Sequence, residues 1–239
     1  MDSVQSSKFI TQKKSLELIE KIEKLTSRWG GASLHRQVYV KNRIKAMNES
    51  IYYNVDTIHT GIGSDRKISF QYFEYSVQKE RVFRHGGMRY LVSPFALIWD
   101  DENYYLAAYD ENAAAIKHFR VDKMYAISVT DEPRGAREIF DNIDMSSYSR
   151  RHFGMFTGTA EPVKLEFENG LAGAVIDRFG RDIPFIPTDD EHFSVTVNIA
   201  VSPQFFGWVC GFGGRVRILS PNSIVEKMKE HLAEISAMY

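Results

Sequence analysis

Along residues 14–29 apolar side chains recur at Leu16, Ile19, Ile22 and Leu25 with Lys and Glu between them, and Gly30-Gly31 ends the run. This pattern predicts an amphipathic helix. A second stripe is longer: Ile44, Met47, Ile51, Val55, Ile58 and Ile62 step by three or four residues, which places all six on one face of a helix ending near Gly61 or Gly63. Such a face must be covered, either by the first helix or the following domain, or by a second copy of the chain in a dimer seam.

After Gly63 the period shortens to two. Runs at 67–73, 80–84, 90–92, 96–99, 104–109, 116–121 and 125–129 read as short strands, separated by His85-Gly86-Gly87, by 100–103 and by Asp110-Glu111-Asn112. Closely spaced antiparallel strands joined by tight turns predict a small barrel of SH3-like or Sm-like type, because closure removes unpaired edges. Residues 131–160 lack a sustained period and predict a linker with a short helix. Beyond them follow strand 163–168, helix 171–179, strands 183–186 and 193–201, helix 203–212, strand 215–219 and a terminal helix 221–238, with Ser220 as N-cap and Pro221 at its first position. The order βαββαβ plus a helix predicts a ferredoxin-like domain. The fold class is therefore α+β in four segments: a helical linker or dimerisation segment at 1–63, the barrel at 64–130, a linker at 131–160 and the C-terminal domain at 161–239.

Of the 239 residues 44% are apolar, enough for sizeable cores, and the net charge is -1, so the overall field does not make this a basic nucleic-acid binder. Charge is nevertheless uneven, with 10 Lys/Arg against 6 Asp/Glu over residues 1–63 and 7 against 11 over 161–239. The single cysteine, Cys210, excludes an internal disulfide framework. It sits in an apolar run, as a buried inert thiol does. Neither a signal-peptide core nor an 18-residue apolar span occurs, which predicts a soluble, cytoplasmic protein.

Catalytic devices are missing. The chain has no Gly-x-Ser-x-Gly elbow, no phosphate-binding loop ending in Gly-Lys-Ser/Thr, no His-Glu-x-x-His and no dinucleotide fingerprint, so neither an enzyme nor a cofactor is expected. Gly211-Phe212-Gly213-Gly214 precedes a strand, as a turn does. Histidines 35, 59, 85, 118, 152, 192 and 231 show no metal-ligand spacing. What remains is a cationic set on the barrel. Alternation along 116–121 puts Phe119 and Val121 on one face and His118 and Arg120 on the other, with Lys123 just beyond and Ser93, Tyr90 and Tyr104 on strands that can lie nearby. A guanidinium beside a hydroxyl, an imidazole and aromatic rings suits a phosphate attached to a base. The competing reading pairs Arg120 with Asp122 or an acidic loop on a solvated face.

Tyr90-x-Val92-x-Pro94, Tyr104-Tyr105-Leu106 and Lys117-x-Phe119-Arg120-x-Asp122-Lys123-Met124 resemble the WYL domain, named for a Trp-Tyr-Leu triplet. Residues 163–238, with Trp208, Gly213 and 216–221, resemble WCX, the C-terminal extension that follows WYL domains in bacterial transcriptional regulators. Two departures stand out. Tyr104 replaces the Trp of the triplet, and Lys117 and Lys123 stand where the family usually has arginines, which weakens bidentate anion recognition. The resemblance implies a barrel that senses a nucleotide-like anion or single-stranded nucleic acid and signals to a DNA-binding domain, with the extension serving dimerisation. Tyr90, Ser93, Tyr104, Lys117, His118, Arg120 and Lys123 are its candidate ligand residues, Arg120 foremost. Regulators of this family usually begin with a winged helix-turn-helix, whereas this chain opens with what resembles the helical linker downstream of it. Double-stranded DNA is then reached only through a domain outside the chain, or the chain is a stand-alone sensor. The alternative is a nucleic-acid-binding module acting directly through the barrel surface.

Overall fold

The computed structural model of the protein describes residues 11–24, 50–141, 143, 153–155 and 160–239. The chain divides into two compact units, Met1–Asp141 and Asn142–Tyr239. Residues 25–31 at the end of the first expected helix, Ile44 and Met47 of the stripe, and most of 142–159 in the expected linker lie outside the described residues.

In the first unit, helices α1 (Gln12–Lys24) and α2 (Ser50–Gly63) precede six strands: β1 (Arg66–Tyr75), β2 (Arg81–Phe83), β3 (Tyr90–Asp100), β4 (Asn103–Asp110), β5 (Ala115–Arg120) and β6 (Met124–Pro133). All pairings are antiparallel. Strand β1 is the hub, pairing with both β6 and β3 through Ile68 and Ser69 and with β2 further along, while β4 joins β3 to β5. The last strand thus returns to the first, and the sheet curls into a half-barrel. Two expected strands, 90–92 and 96–99, are one continuous strand. Its pairing with β4 slips between Pro94 and Ala96, where proline has no N–H to give to the ladder. Strand β6 also runs on to Pro133, into the segment expected to be linker, before a short helix α3 (Arg137–Asp141).

Alternation sets the core of this unit. Ile68, Phe70, Tyr72, Val92, Leu106, Ala108, Phe119, Val121 and Met124 form one buried cluster, and α2 lays Ile51 and Ile58 into it, with Val55 and Ile62 packed alongside. The described part of the helical stripe is therefore packed on the following sheet. On the same face Asn54 is buried, and its Nδ2 donates to the carbonyls of Val121 (3.1 Å) and Met124 (2.9 Å). These carbonyls bracket the 3-10 turn Val121–Lys123 that carries β5 into β6.

The second unit contains β7 (Ala160–Glu168), α4 (Ala172–Phe179), β8 (Ile186–Pro187), β9 (His192–Ala200), α5 (Pro203–Cys210), β10 (Val216–Ser220) and α6 (Asn222–Ser236). The sheet order is β10-β7-β9-β8. Val163, Leu165, Phe167, Val195, Val197 and Ile199 face the helices, whose Val175, Phe205, Phe206, Val209 and Ile224 complete the core. Helix α5 opens on a side-chain cap: Ser202 Oγ accepts from Phe205 N (3.3 Å) and Pro203 takes the first turn. The expected cap of the last helix is corrected. Ser220 closes β10, Pro221 occupies the N-cap position, and no side chain caps the helix.

Two outcomes are expected in chemical denaturation. Asn54→Ala strips two buried carbonyls of their donor and lowers stability by about 2 kcal/mol. In Gly61→Ala the new Cβ would stand 2.6 Å from Ile68 Cγ2, beneath the helix, so this variant also unfolds at lower denaturant.

Candidate functional site

Two turns build the walls of a pocket at one end of the curled sheet. The first, Arg84–Gly87, swings the chain from β2 into β3; His85 and Gly86 both take left-handed backbone angles there, φ 52° and 65°. The second joins β4 to β5, where Asp110 Oδ1 accepts from Asn112 N (3.0 Å) in an Asx turn. Between them lies a pocket of about 240 Å³ bounded by His85, Met88, Arg89, Tyr90, Leu91, Asp110, Asn112, Ala113 and Lys117.

The expected cluster is divided by the pleat. Register pairs Leu106 with Phe119 and Ala108 with Lys117, so Lys117 shares the inner face with Phe119, while His118 and Arg120 lie on the other. Tyr90 joins Lys117 in the pocket; its ring stacks on Phe70 (5.5 Å, 10°) and meets Phe119 edge-on (5.2 Å). The other five stand elsewhere. Ser93 is fully buried and its Oγ accepts from Gly135 N (2.9 Å). Tyr104 packs edge-on against Trp99 (4.7 Å, 67°), His118 lies opposite Ala107, and Lys123 closes the 3-10 turn. Arg120 is forked onto its neighbour: Nε donates to Asp122 Oδ1 (3.1 Å), and Nη2 to Asp122 Oδ2 (2.8 Å) and Asn103 Oδ1 (2.9 Å). Its backbone N–H donates to Tyr72 Oη (3.1 Å). Burial pushes that phenol up to about 12, so it stays neutral.

Sequence reading missed His85, Met88, Leu91, Asp110, Asn112 and Ala113. Its own signals, His85-Gly86-Gly87 and Asp110-Glu111-Asn112, had marked turns, and turns at the end of a curled sheet are where a pocket wall comes from.

A second charged group ties the end of β6 to the sheet. Lys67, with its side chain 11% exposed, bridges Glu111 (2.8 Å) and Glu132 (3.2 Å), while Asp65 takes Arg134 (2.9 Å) and Arg137. Hydrogen bonds from Arg137 and Arg134 hold the Asp65 carboxyl below its ordinary value. Among the described residues no group of three His, Cys, Asp or Glu side chains could hold a metal ion, and no helix is long and apolar enough to cross a membrane.

The WYL domain family model matches residues 53–129, and the WCX domain model matches residues 159–236. No curated protein matches the chain. Among solved structures the chain is similar to Proteasome accessory factor B/C (PafBC) of Arthrobacter aurescens at 19% identity, over 87% of this chain and 30% of that one, with a TM-score of 0.34. It is also similar to a CRISPR Cas-related protein at 15% identity, over 79% of this chain and 52% of that one, with a TM-score of 0.45. The chain thus spans 30% and 52% of these two structures' own lengths.

Because the folded pKa of Asp65 is depressed, its contribution is present above the ordinary value of 3.8 and is lost as pH falls through the lower folded value. Thermal melts of Asp65→Asn against wild type should differ at pH 7 and converge as the solution is acidified below that range.

Proposed function

Since the chain belongs to the WYL-domain proteins that carry a WCX domain, we propose that it is the ligand-sensing, non-catalytic region of a bacterial transcriptional regulator whose DNA-reading domain lies outside these residues. The first unit is read as an SH3-like barrel. Supporting this, the last strand pairs with the first and a 3-10 turn separates β5 from β6. The second unit is read as ferredoxin-like, because its four strands, numbered in chain order, lie 4-1-3-2.

One observation carries the site assignment: two of the candidate ligand residues, Tyr90 and Lys117, line the same pocket. The ligand is a nucleotide-like molecule or a single strand offering one nucleotide, with a ring against Tyr90 and a polar group at Lys117. Ser93, Tyr104, His118, Arg120 and Lys123 then support the sheet or serve a neighbouring face, and Arg120 is held in reserve by Asp122. Ligand in the pocket presses on the strands that α2 covers, and occupancy is passed through that helix or through the arrangement of a homodimer. Such coupling needs a ligand that prefers one of two states.

A second reading, a module that binds nucleic acid directly, is favoured by Arg81. Its guanidinium lies over the rings of Phe73 (4.8 Å) and Tyr125 (5.9 Å), and Tyr125 is exposed. Cations beside exposed aromatics suit a strand's backbone and bases.

Fluorescence titration with a labelled mononucleotide and a short oligonucleotide separates the readings. Pocket binding should weaken about tenfold in Lys117→Ala or Tyr90→Ala and depend little on salt, whereas surface binding should fall steeply with salt and respond to Arg81→Ala. Asp122→Asn releases Arg120. Unchanged affinity in that variant would remove Arg120 from the site.

A further inference from the structure

Inside the pocket Lys117 is already paired before any ligand arrives. Lys117 Nζ stands 2.7 Å from Asp110 Oδ2, and Asp110 is only 4% exposed. The other oxygen, Oδ1, accepts from Asn112 N at 3.0 Å. Arg89 also lines the pocket, and its guanidinium is held by neutral acceptors of the sheet: Nε donates to Ser69 Oγ (2.8 Å), and Nη2 to the carbonyls of Ser69 (2.9 Å) and Ala126 (2.7 Å). The remaining wall includes Met88, Leu91 and Ala113, which are apolar.

A bare phosphate is poorly matched to the Lys117 end of this pocket. Approaching the ammonium, it meets the Asp110 carboxylate at nearly the same distance, and in a partly desolvated site that repulsion offsets the attraction. The carboxylate itself is unsaturated. It has about four lone-pair positions, of which Lys117 and Asn112 take two. A ligand bearing N–H donors completes it with charge-assisted hydrogen bonds. Size narrows the class further, since about 240 Å³ lies below the usual range of ligand pockets, roughly 300–1,000 Å³. A single planar ring system fits, with sugar and phosphate left outside.

We propose that the pocket admits a nucleobase carrying an exocyclic amino group, and that Asp110 is the residue that reads it, an inference that rests on the nucleotide-sensing reading above. Cytosine, adenine and guanine present an amino group to the carboxylate. Thymine and uracil present a carbonyl oxygen in the corresponding place, lone pair against lone pair. Acidic side chains accept from the cytosine amino group in the same way when they read base edges. Tyr90 supplies the stacking surface, and Lys117 keeps Asp110 aimed.

The test compares 5′-fluorescein-labelled dC8 and dT8 by fluorescence polarisation on the full chain, with unlabelled cytidine and uridine as competitors. The nucleosides carry no phosphate and so report on the base alone. Wild type should bind dC8 about tenfold more tightly than dT8, and cytidine should displace the probe at lower concentration than uridine. In Asp110→Asn, whose fold is checked by its melting transition, the preference should collapse, because an amide offers both donor and acceptor. If that variant does not fold, the wild-type comparison decides alone. Equal binding of dC8 and dT8, or tighter binding of dT8, overturns the role of Asp110 and leaves the ligand site standing. Failure of both oligonucleotides and both nucleosides to bind overturns the nucleotide-sensing reading as well.

Discussion

Two hydrogen bonds from one buried amide hold the first unit in register. Asn54 Nδ2 reaches the carbonyls of Val121 and Met124, on either side of the turn that sends β6 back to β1. Without that return the sheet would remain open, with β1 exposed along one edge. The surrounding apolar packing of Ile51, Ile58, Phe70, Phe119 and Met124 supplies most of the driving force, but it is indifferent to small slides of the helix. The amide is not indifferent, because either carbonyl left bare in that core costs far more than the bond itself contributes. Gly61 complements it at the other end of the helix, where the backbone approaches Ile68 too closely for any side chain.

Closure of the sheet has a chemical consequence at its end. Turns that must join tightly paired strands bring together acidic and left-handed residues, and these become the walls of the pocket. Within the sheet most of the cations that a reading by residue type would offer to a ligand have already been answered: Lys117 by Asp110, Arg120 by Asp122, and Lys67 by Glu111 and Glu132. The result is a pocket whose wall carries a close ion pair, Lys117 with Asp110. Glu111 sits next to Asp110 in the same turn, so the pocket wall and the clasp on the end of β6 share one short stretch of backbone.

Strand and helix positions were legible because burial follows period. The alternation through 104–109 and 116–121 predicted β4 and β5 and placed Phe119 and Val121 in the core. The order of elements in the second unit was equally plain, with α5 starting at Pro203 as expected. Continuity failed at Pro94, where a residue that ends many strands instead sits at a slip in the register of one. The cap failed at Ser220, since a favourable cap residue was drawn into the neighbouring ladder of β10. Local preference is a weak vote wherever a longer-range pairing competes for the same backbone.

The candidate site divides the same way. Residue types alone marked Tyr90 and Arg120 as chemistry-bearing, the family resemblance added Lys117, and the fork between Arg120 and Asp122, two residues apart, was already present as an alternative in the chain. Sequence by itself therefore determined which segments are strands or helices, which face of each is apolar, and which charges have a local partner. Only the tertiary structure decided that Lys67 is neutralised by carboxylates 44 and 65 residues away, that Asn54 is a core residue, and that Asp110 shares a pocket with Tyr90. The physical reason is that periodicity records whether a side chain is turned toward the interior, while the identity of what it meets there is fixed by the curl and register of the sheet, which no local stretch of chain contains.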